Sequence, residues 1–190
     1  MADGHEETVK EAIAADGGDP DRPRRRRAAL GTALFLVVAP GIVAGVGPWL
    51  VSGWQFETPF EGWLPFRLLG GALIAAGAVA LLHSFARFVS EGLGTPAPVA
   101  PTRTLVVGGL YRYLRNPMYV AVGGLIVGQA LLFGRLDLLI YAVAFFLLVA
   151  AFVRVYEEPL LAAQFGAEYE AYRRGVPGWW PRRTPWRPQS

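Results

Sequence analysis

The sequence predicts an all-α integral membrane bundle of about four transmembrane helices, followed by a cytoplasmic C-terminal helical segment. Three observations carry this prediction. The 190 residues are 53% hydrophobic and only 17% charged, against roughly 25% charged residues in soluble domains. Four apolar stretches, approximately Ala28 to Val51, Phe66 to Val89, Pro117 to Phe133 and Leu136 to Val153, each approach the ~20 residues that cross a bilayer. The cations are also spread unevenly about those stretches. With the N-terminus in the cytoplasm, sixteen of the eighteen Lys and Arg fall inside and only Arg67 and Arg135 outside, as the positive-inside rule requires. Both termini, the segment between the second and third stretches and the whole C-terminal region are then expected on the cytoplasmic face, so any polar site belongs there.

Residues 1–27 hold seven of the fifteen acids and end in the run Arg24 to Arg27. They are too polar to build a core and read as a disordered tail, which leaves 28–190 as the membrane domain. The arginine run stands directly against an apolar stretch and reads as a juxtamembrane anchor rather than a nucleic-acid patch. That stretch starts too late and runs too long for a signal peptide. It contains Pro40-Gly41 and Pro48, where a kink or break is expected. Small residues at Gly70, Gly71, Ala75, Ala76 and Gly77 in the second stretch, and at Gly123, Gly124 and Gly128 in the third, permit close helix contact. Only "GRLD" separates the third and fourth, which forces a tight antiparallel hairpin. A fifth, partly inserted helix at Leu105 to Leu114 or Leu160 to Tyr172 is compatible with the pattern.

Composition excludes several chemistries. There is no cysteine, which removes disulfides, thiolate metal sites and cysteine nucleophiles. Two histidines, His5 and His83, are too few for a histidine-built catalytic zinc. No hydrolase triad order and no phosphate-binding loop is present.

Three motifs remain. In "YRYLRNPMYV", Asn116 is a favourable N-cap and Pro117 suits the first helical position, with Arg112 and Arg115 flanking. In "RVYEEPLL", Arg154, Glu157, Glu158 and Leu161 are spaced i, i+3, i+4, i+7 and are expected on one helix face. Adjacent carboxylates at a membrane boundary are costly without cations. Arg154, Arg112, Arg115 or a cationic ligand can supply them, and plain ion-paired glue at the end of the bundle satisfies the spacing equally well. In "EGLGTP", Gly92 and Gly94 allow close backbone approach, but without a third glycine they make no dinucleotide fingerprint. His83, four residues before Arg87, reads more as an interhelical hydrogen-bonding group than as a base.

In this order and spacing, from about Arg87 to Arg183, these motifs resemble the isoprenylcysteine carboxyl methyltransferase and phospholipid methyltransferase superfamily of integral membrane enzymes, in its bacterial form. The resemblance implies an S-adenosylmethionine site formed by Gly92, Gly94, Tyr111, Arg115, Asn116, Pro117, Tyr119, Glu157 and Glu158. The paired glutamates would neutralise the cofactor's cations, and Arg115 with the helix start at Asn116-Pro117 would receive its carboxylate. Tyr111 and Tyr119 would pack on the adenine or the sulfonium. Arg115 and Arg154 are the expected catalytic residues, Arg154 steering an acceptor carboxylate or phosphate. Asn116 replaces the histidine of the eukaryotic prenylcysteine enzymes, which places that substrate in doubt. The implied reaction is methyl transfer to a lipid-like or hydrophobic acceptor, by carboxylate O-methylation or amine N-methylation. The bilayer is the partner, and neither nucleic acid nor metal is expected. The C-terminal segment with Tyr169, Tyr172, Trp179 and Trp180 is expected to form an interfacial amphipathic helix and aromatic anchor, and also to cover the cofactor. Two alternatives are an NADPH-dependent membrane reductase related to sterol reductases, and a non-catalytic scaffold.

Overall fold

The computed structural model describes residues 38–92 and 104–187, and within them every regular element is helical. The tail 1–27, its arginine run and Gly94 lie outside the described residues. Helix α1 spans Val38–Ser52 and α2 spans Leu64–Gly92. After a short 3-10 turn at Gly109–Arg112 come α3, Pro117–Phe133, and α4, which runs Leu136–Phe165; α5 is Ala167–Gly175. Among the described residues, two helices are long and apolar enough to cross a membrane, over Leu64–Arg87 and Leu136–Phe165, and α1 and α3 are shorter apolar helices. Large apolar side chains face outward along α2 and α4, among them Leu68, Val79, Leu82, Ile140, Leu147 and Leu148. So much exposed apolar surface on consecutive turns suits a hydrocarbon surrounding.

The hairpin forms as the sequence predicts. Gly134 closes α3 in the left-handed conformation, with φ 73°, and Arg135 pairs with Asp137 and Glu57 to pin the turn. Helix α2 packs most closely on α3. A Cβ on Gly70 would lie 2.6 Å from the Gly128 carbonyl, so only a residue without one permits this approach. Gly71 and Gly124, expected to serve the same contact, face open space. The central core gathers Leu81 and Phe85 of α2, Val122 and Ile126 of α3, and Ala142 of α4.

Two π turns interrupt the helices, at Ile42–Val46 in α1 and Val153–Glu157 in α4. Each ends two residues before a proline, Pro48 and Pro159 respectively. The cause is local: proline offers no N–H to the carbonyl four residues back and crowds it, and widening the turn by one residue relieves the clash. The expected break at Pro48 is thus a π turn inside a continuing helix. Of the two locations expected for a fifth helix, 105–114 holds only the 3-10 turn, whereas 160–172 falls on the end of α4 and the start of the separate helix α5.

Candidate functional site

The Arg115-Asn116-Pro117 and Glu157-Glu158 motifs end at one cavity of about 480 Å³, walled by α1, α2, α3, α4, α5 and the chain before α3. Its polar end is lined by Tyr111, Arg115, Asn116, Tyr119, Glu157, Glu158, Gln164 and Tyr169, and its apolar arm by Ala39, Pro40, Val43, Leu81, Phe85, Val122 and Phe145. Along α4 the lining runs from Phe145 to Gln164, ~28 Å at the helical rise of ~1.5 Å per residue.

Arg115 is the hub of the polar end. Its Nε donates to the Val176 carbonyl (3.0 Å), and Nη1 donates to Glu158 Oε1 (2.8 Å) and to the Tyr169 hydroxyl (3.1 Å). Its backbone N–H donates to the Pro177 carbonyl and that of Asn116 to Gly178. Residues 176–186 therefore brace the Arg115-Asn116 step from behind. Further along this strap, Arg182 and Trp186 donate their N–H groups to the carbonyls of Tyr113 and Arg112, and Arg112 Nε returns a bond to Trp186. Trp186 packs edge-on against Tyr172, with ring centroids 5.3 Å apart.

Asn116 occupies the N-cap position of α3, yet its side chain makes no capping bond. Its Nδ2 is buried with no hydrogen-bond partner. A buried amide donor left unpaired costs on the order of 1–3 kcal/mol, so its retention inside a cavity wall points to a group that arrives with a ligand. Beside it, the start of α3 presents backbone N–H groups that have no intrahelical acceptor.

The two glutamates have different partners. Three guanidiniums converge on Glu158: Arg115 at 2.8 Å, Arg154 at 3.5 Å and Arg173 at 3.7 Å. Glu157 instead accepts the Tyr119 hydroxyl at 3.0 Å. The single helix face expected for Arg154, Glu157, Glu158 and Leu161 is altered by the π turn. Both glutamates and Leu161 line the cavity, whereas the Arg154 side chain is 74% exposed and reaches Glu158 from outside. Arg112 is committed to Trp186 rather than to a carboxylate.

Gly92 is the last residue of α2. His83 is exposed on α2, packed against Gly109, and does not line the cavity. Tyr169 and Tyr172, expected at the membrane interface, are buried with Val176 in a second core cluster, because α5 turns them toward Arg115 and Tyr111; Tyr172 donates to the Tyr111 carbonyl at 2.7 Å. Trp180 is 80% exposed, as an interfacial side chain would be. Burial pushes the phenols of Tyr111, Tyr169 and Tyr172 above the ordinary tyrosine value, so all three stay neutral at physiological pH.

Arg173, the 176–186 strap and the α1 wall were not evident from sequence spacing. Arg173 sits among surface-type charges, and neither the strap nor α1 carries a motif. Among the described residues, no group of three or more His, Asp or Glu is placed to hold a metal ion.

Comparison with known proteins adds one finding. A family model described as phospholipid methyltransferase matches residues 66–168, more than half of the chain. No curated protein matches. The matched span contains all but the first two residues of α2, and α3 and α4 with both glutamates and the Arg115-Asn116 step; the α1 wall and most of α5 and its strap lie outside it.

Proposed function

The chain belongs to the phospholipid methyltransferase family, and from that premise we propose that it transfers a methyl group from S-adenosylmethionine to a lipid-like acceptor at the cytoplasmic membrane face. In this reading the four apolar helices of residues 28–190 all insert, with α3, at 17 residues, near the lower limit of a span. Both termini and the polar end of the cavity lie inside.

The observation that carries the proposal is the pairing, in one mostly apolar cavity, of an unpartnered buried donor, Asn116 Nδ2, with a carboxylate that three nearby arginines leave to a hydroxyl, Glu157. The two groups are complementary to a ligand that carries both an anion and a cation. S-adenosylmethionine supplies such a pair of charges together with an electrophilic methyl group on sulfonium sulfur. Asn116 Nδ2 and the free N–H groups at the start of α3 receive the carboxylate, and Glu157, oriented by Tyr119, faces the positive charge. Tyr111 and Tyr119 provide aromatic surface for the adenine or the sulfonium. Glu158 and Arg115 hold the frame rather than the ligand, and Arg154 stands at the rim, where it meets an acceptor's carboxylate or phosphate. The assignment of Gly92 and Gly94 to the cofactor rests on the resemblance alone.

The protein's contribution to the reaction is orientation and exclusion of water. An acceptor carboxylate needs no base. An acceptor amine gives up a proton, for which the cavity carboxylates are the available acceptors, since His83 does not line it.

The test is transfer of a tritiated methyl group from S-adenosylmethionine into organic-extractable product by the purified protein, with a total lipid extract as acceptor pool. We expect labelled lipid with the wild type and, at sub-saturating S-adenosylmethionine, at least tenfold less with Glu157→Gln. Equal labelling by both proteins would refute the site assignment.

A further inference from the structure

The apolar arm of the cavity has a wall held in place by two residues, outside its lining, that the proposed chemistry does not use. Pro48 has no N–H for the carbonyls of Ala44 and Val43, four and five residues back. In a helix surrounded by hydrocarbon such carbonyls need a side-chain donor from a neighbour. They have one each: Gln129 Nε2 of α3 donates to the Ala44 carbonyl at 2.7 Å, and the Tyr141 hydroxyl of α4 donates to the Val43 carbonyl at 2.9 Å. Gln129 is buried, and its Oε1 accepts from Trp54 Nε1 at 3.1 Å, which fixes which end of the amide faces α1. Gly47 completes the fit, because a Cβ there would collide with the Tyr141 hydroxyl.

The segment held in this way is part of the cavity. Val43 and Pro40 of α1 face it, opposite Phe145, which stands one turn beyond Tyr141 on α4. Polar side chains buried among spans are expensive and are kept for a task, and here they anchor the α1 edge of an apolar channel that continues from the polar end.

We propose that Gln129 and Tyr141 are positioning residues for the methyl acceptor: by holding the two carbonyls bared by Pro48, they fix the Pro40–Val43 wall and thereby define the channel that receives the acceptor's hydrocarbon tail. The inference rests on the methyltransferase reading for the word acceptor, but the tail-binding channel itself can be tested apart from it.

The probe is palmitic acid carrying a diazirine at the end of its chain, photolysed with the detergent-solubilised full-length chain, with the labelled residues mapped by mass spectrometry. Wild type is expected to label at Pro40 to Val43 and at Phe145, and unlabelled palmitate should compete. Tyr141→Phe, which deletes only the hydroxyl, should weaken competition roughly three- to fifteenfold, the loss of one interhelical hydrogen bond, and Gln129→Met, which loses its bonds to the Ala44 carbonyl and to Trp54 Nε1, at least as much. Their binding of S-adenosylmethionine should match that of wild type, a separation that a general loss of folding would not produce. Unchanged competition in Tyr141→Phe, or wild-type label confined to outward residues such as Leu147 and Leu148, would overturn the proposal. A wild type that labels as expected but does not bind S-adenosylmethionine would support the tail channel and sink the methyltransferase reading.

Discussion

Exchanging the two adjacent glutamates one at a time should separate frame from ligand. Glu158 and Arg115 form a 2.8 Å pair whose side chains are 12% and 15% exposed. Removing one partner of a buried pair leaves the other uncompensated, at a cost of roughly 3–5 kcal/mol. The pair with Arg154 adds little, since that guanidinium is mostly in solvent and exposed pairs are worth about 0–1 kcal/mol. Glu158→Ala is therefore expected to cost ~3 kcal/mol or more, which corresponds to roughly 6–12 °C in the midpoint for a chain of this size. Glu157→Gln keeps an oxygen to accept the Tyr119 hydroxyl, so its stability should stay within ~1 kcal/mol of wild type. It loses the charge that faces the ligand, and a hydrogen bond to a charged group is worth ~1.5–3 kcal/mol, or roughly ten- to 150-fold in affinity. The assay is thermal unfolding in detergent followed by size exclusion, paired with S-adenosylmethionine calorimetry. The opposite pattern, an unstable Glu157→Gln and a stable Glu158→Ala that no longer binds, would refute the division of roles.

Two further outcomes follow from the same geometry. Asn116→Leu removes a buried donor that has no partner, so it should leave the unfolding midpoint unchanged or raise it while weakening S-adenosylmethionine at least tenfold, as for a lost hydrogen bond to a charged oxygen; a large fall in midpoint would show that the amide has a structural partner. Burial holds Tyr111 and Tyr172 neutral in the folded state above their unfolded values, so the unfolded chain releases their protons first as pH rises. Stability should thus be level up to the ordinary tyrosine value near ~10 and decline above it, and Tyr172→Phe should flatten that decline in an alkaline melting series while lowering the plateau by about 1–3 kcal/mol for the lost bond to the Tyr111 carbonyl. A melting profile unchanged by Tyr172→Phe at every pH would contradict both points.

The sequence was most informative where composition and punctuation act locally. The α3–α4 hairpin follows from two apolar runs and "GRLD", and α3 begins at Pro117 as its Asn-Pro step requires. Pro48 announced a disturbed helix, although not that Gln129 and Tyr141 would repair it, because a glutamine or tyrosine within an apolar run gives no sign of its partner. Pro159 acts on α4 as Pro48 does on α1, and its π turn alters the face expected for Arg154. The polar end was legible through Arg115, Asn116, Tyr119 and the two glutamates, which the fold brings to one cavity. Its bracing was not: residues 176–186 have neither periodicity nor apolar bias, and they are positioned by backbone bonds to 112–116 that no side-chain pattern encodes. Similarly, spacing alone could not tell Glu157 from Glu158, whose environments differ through Tyr119 on α3, Arg115 in the chain before it and Arg173 on α5.

The central claim is that the polar end of the cavity binds S-adenosylmethionine through Glu157 and Asn116. Its most direct test is calorimetric titration of the detergent-solubilised wild type and Glu157→Gln with S-adenosylmethionine and with its demethylated, uncharged-sulfur product. The account predicts saturable binding of both ligands to the wild type and a Glu157→Gln variant that is equally folded but loses more affinity for the sulfonium form than for the product. A folded wild type that binds neither ligand would contradict it.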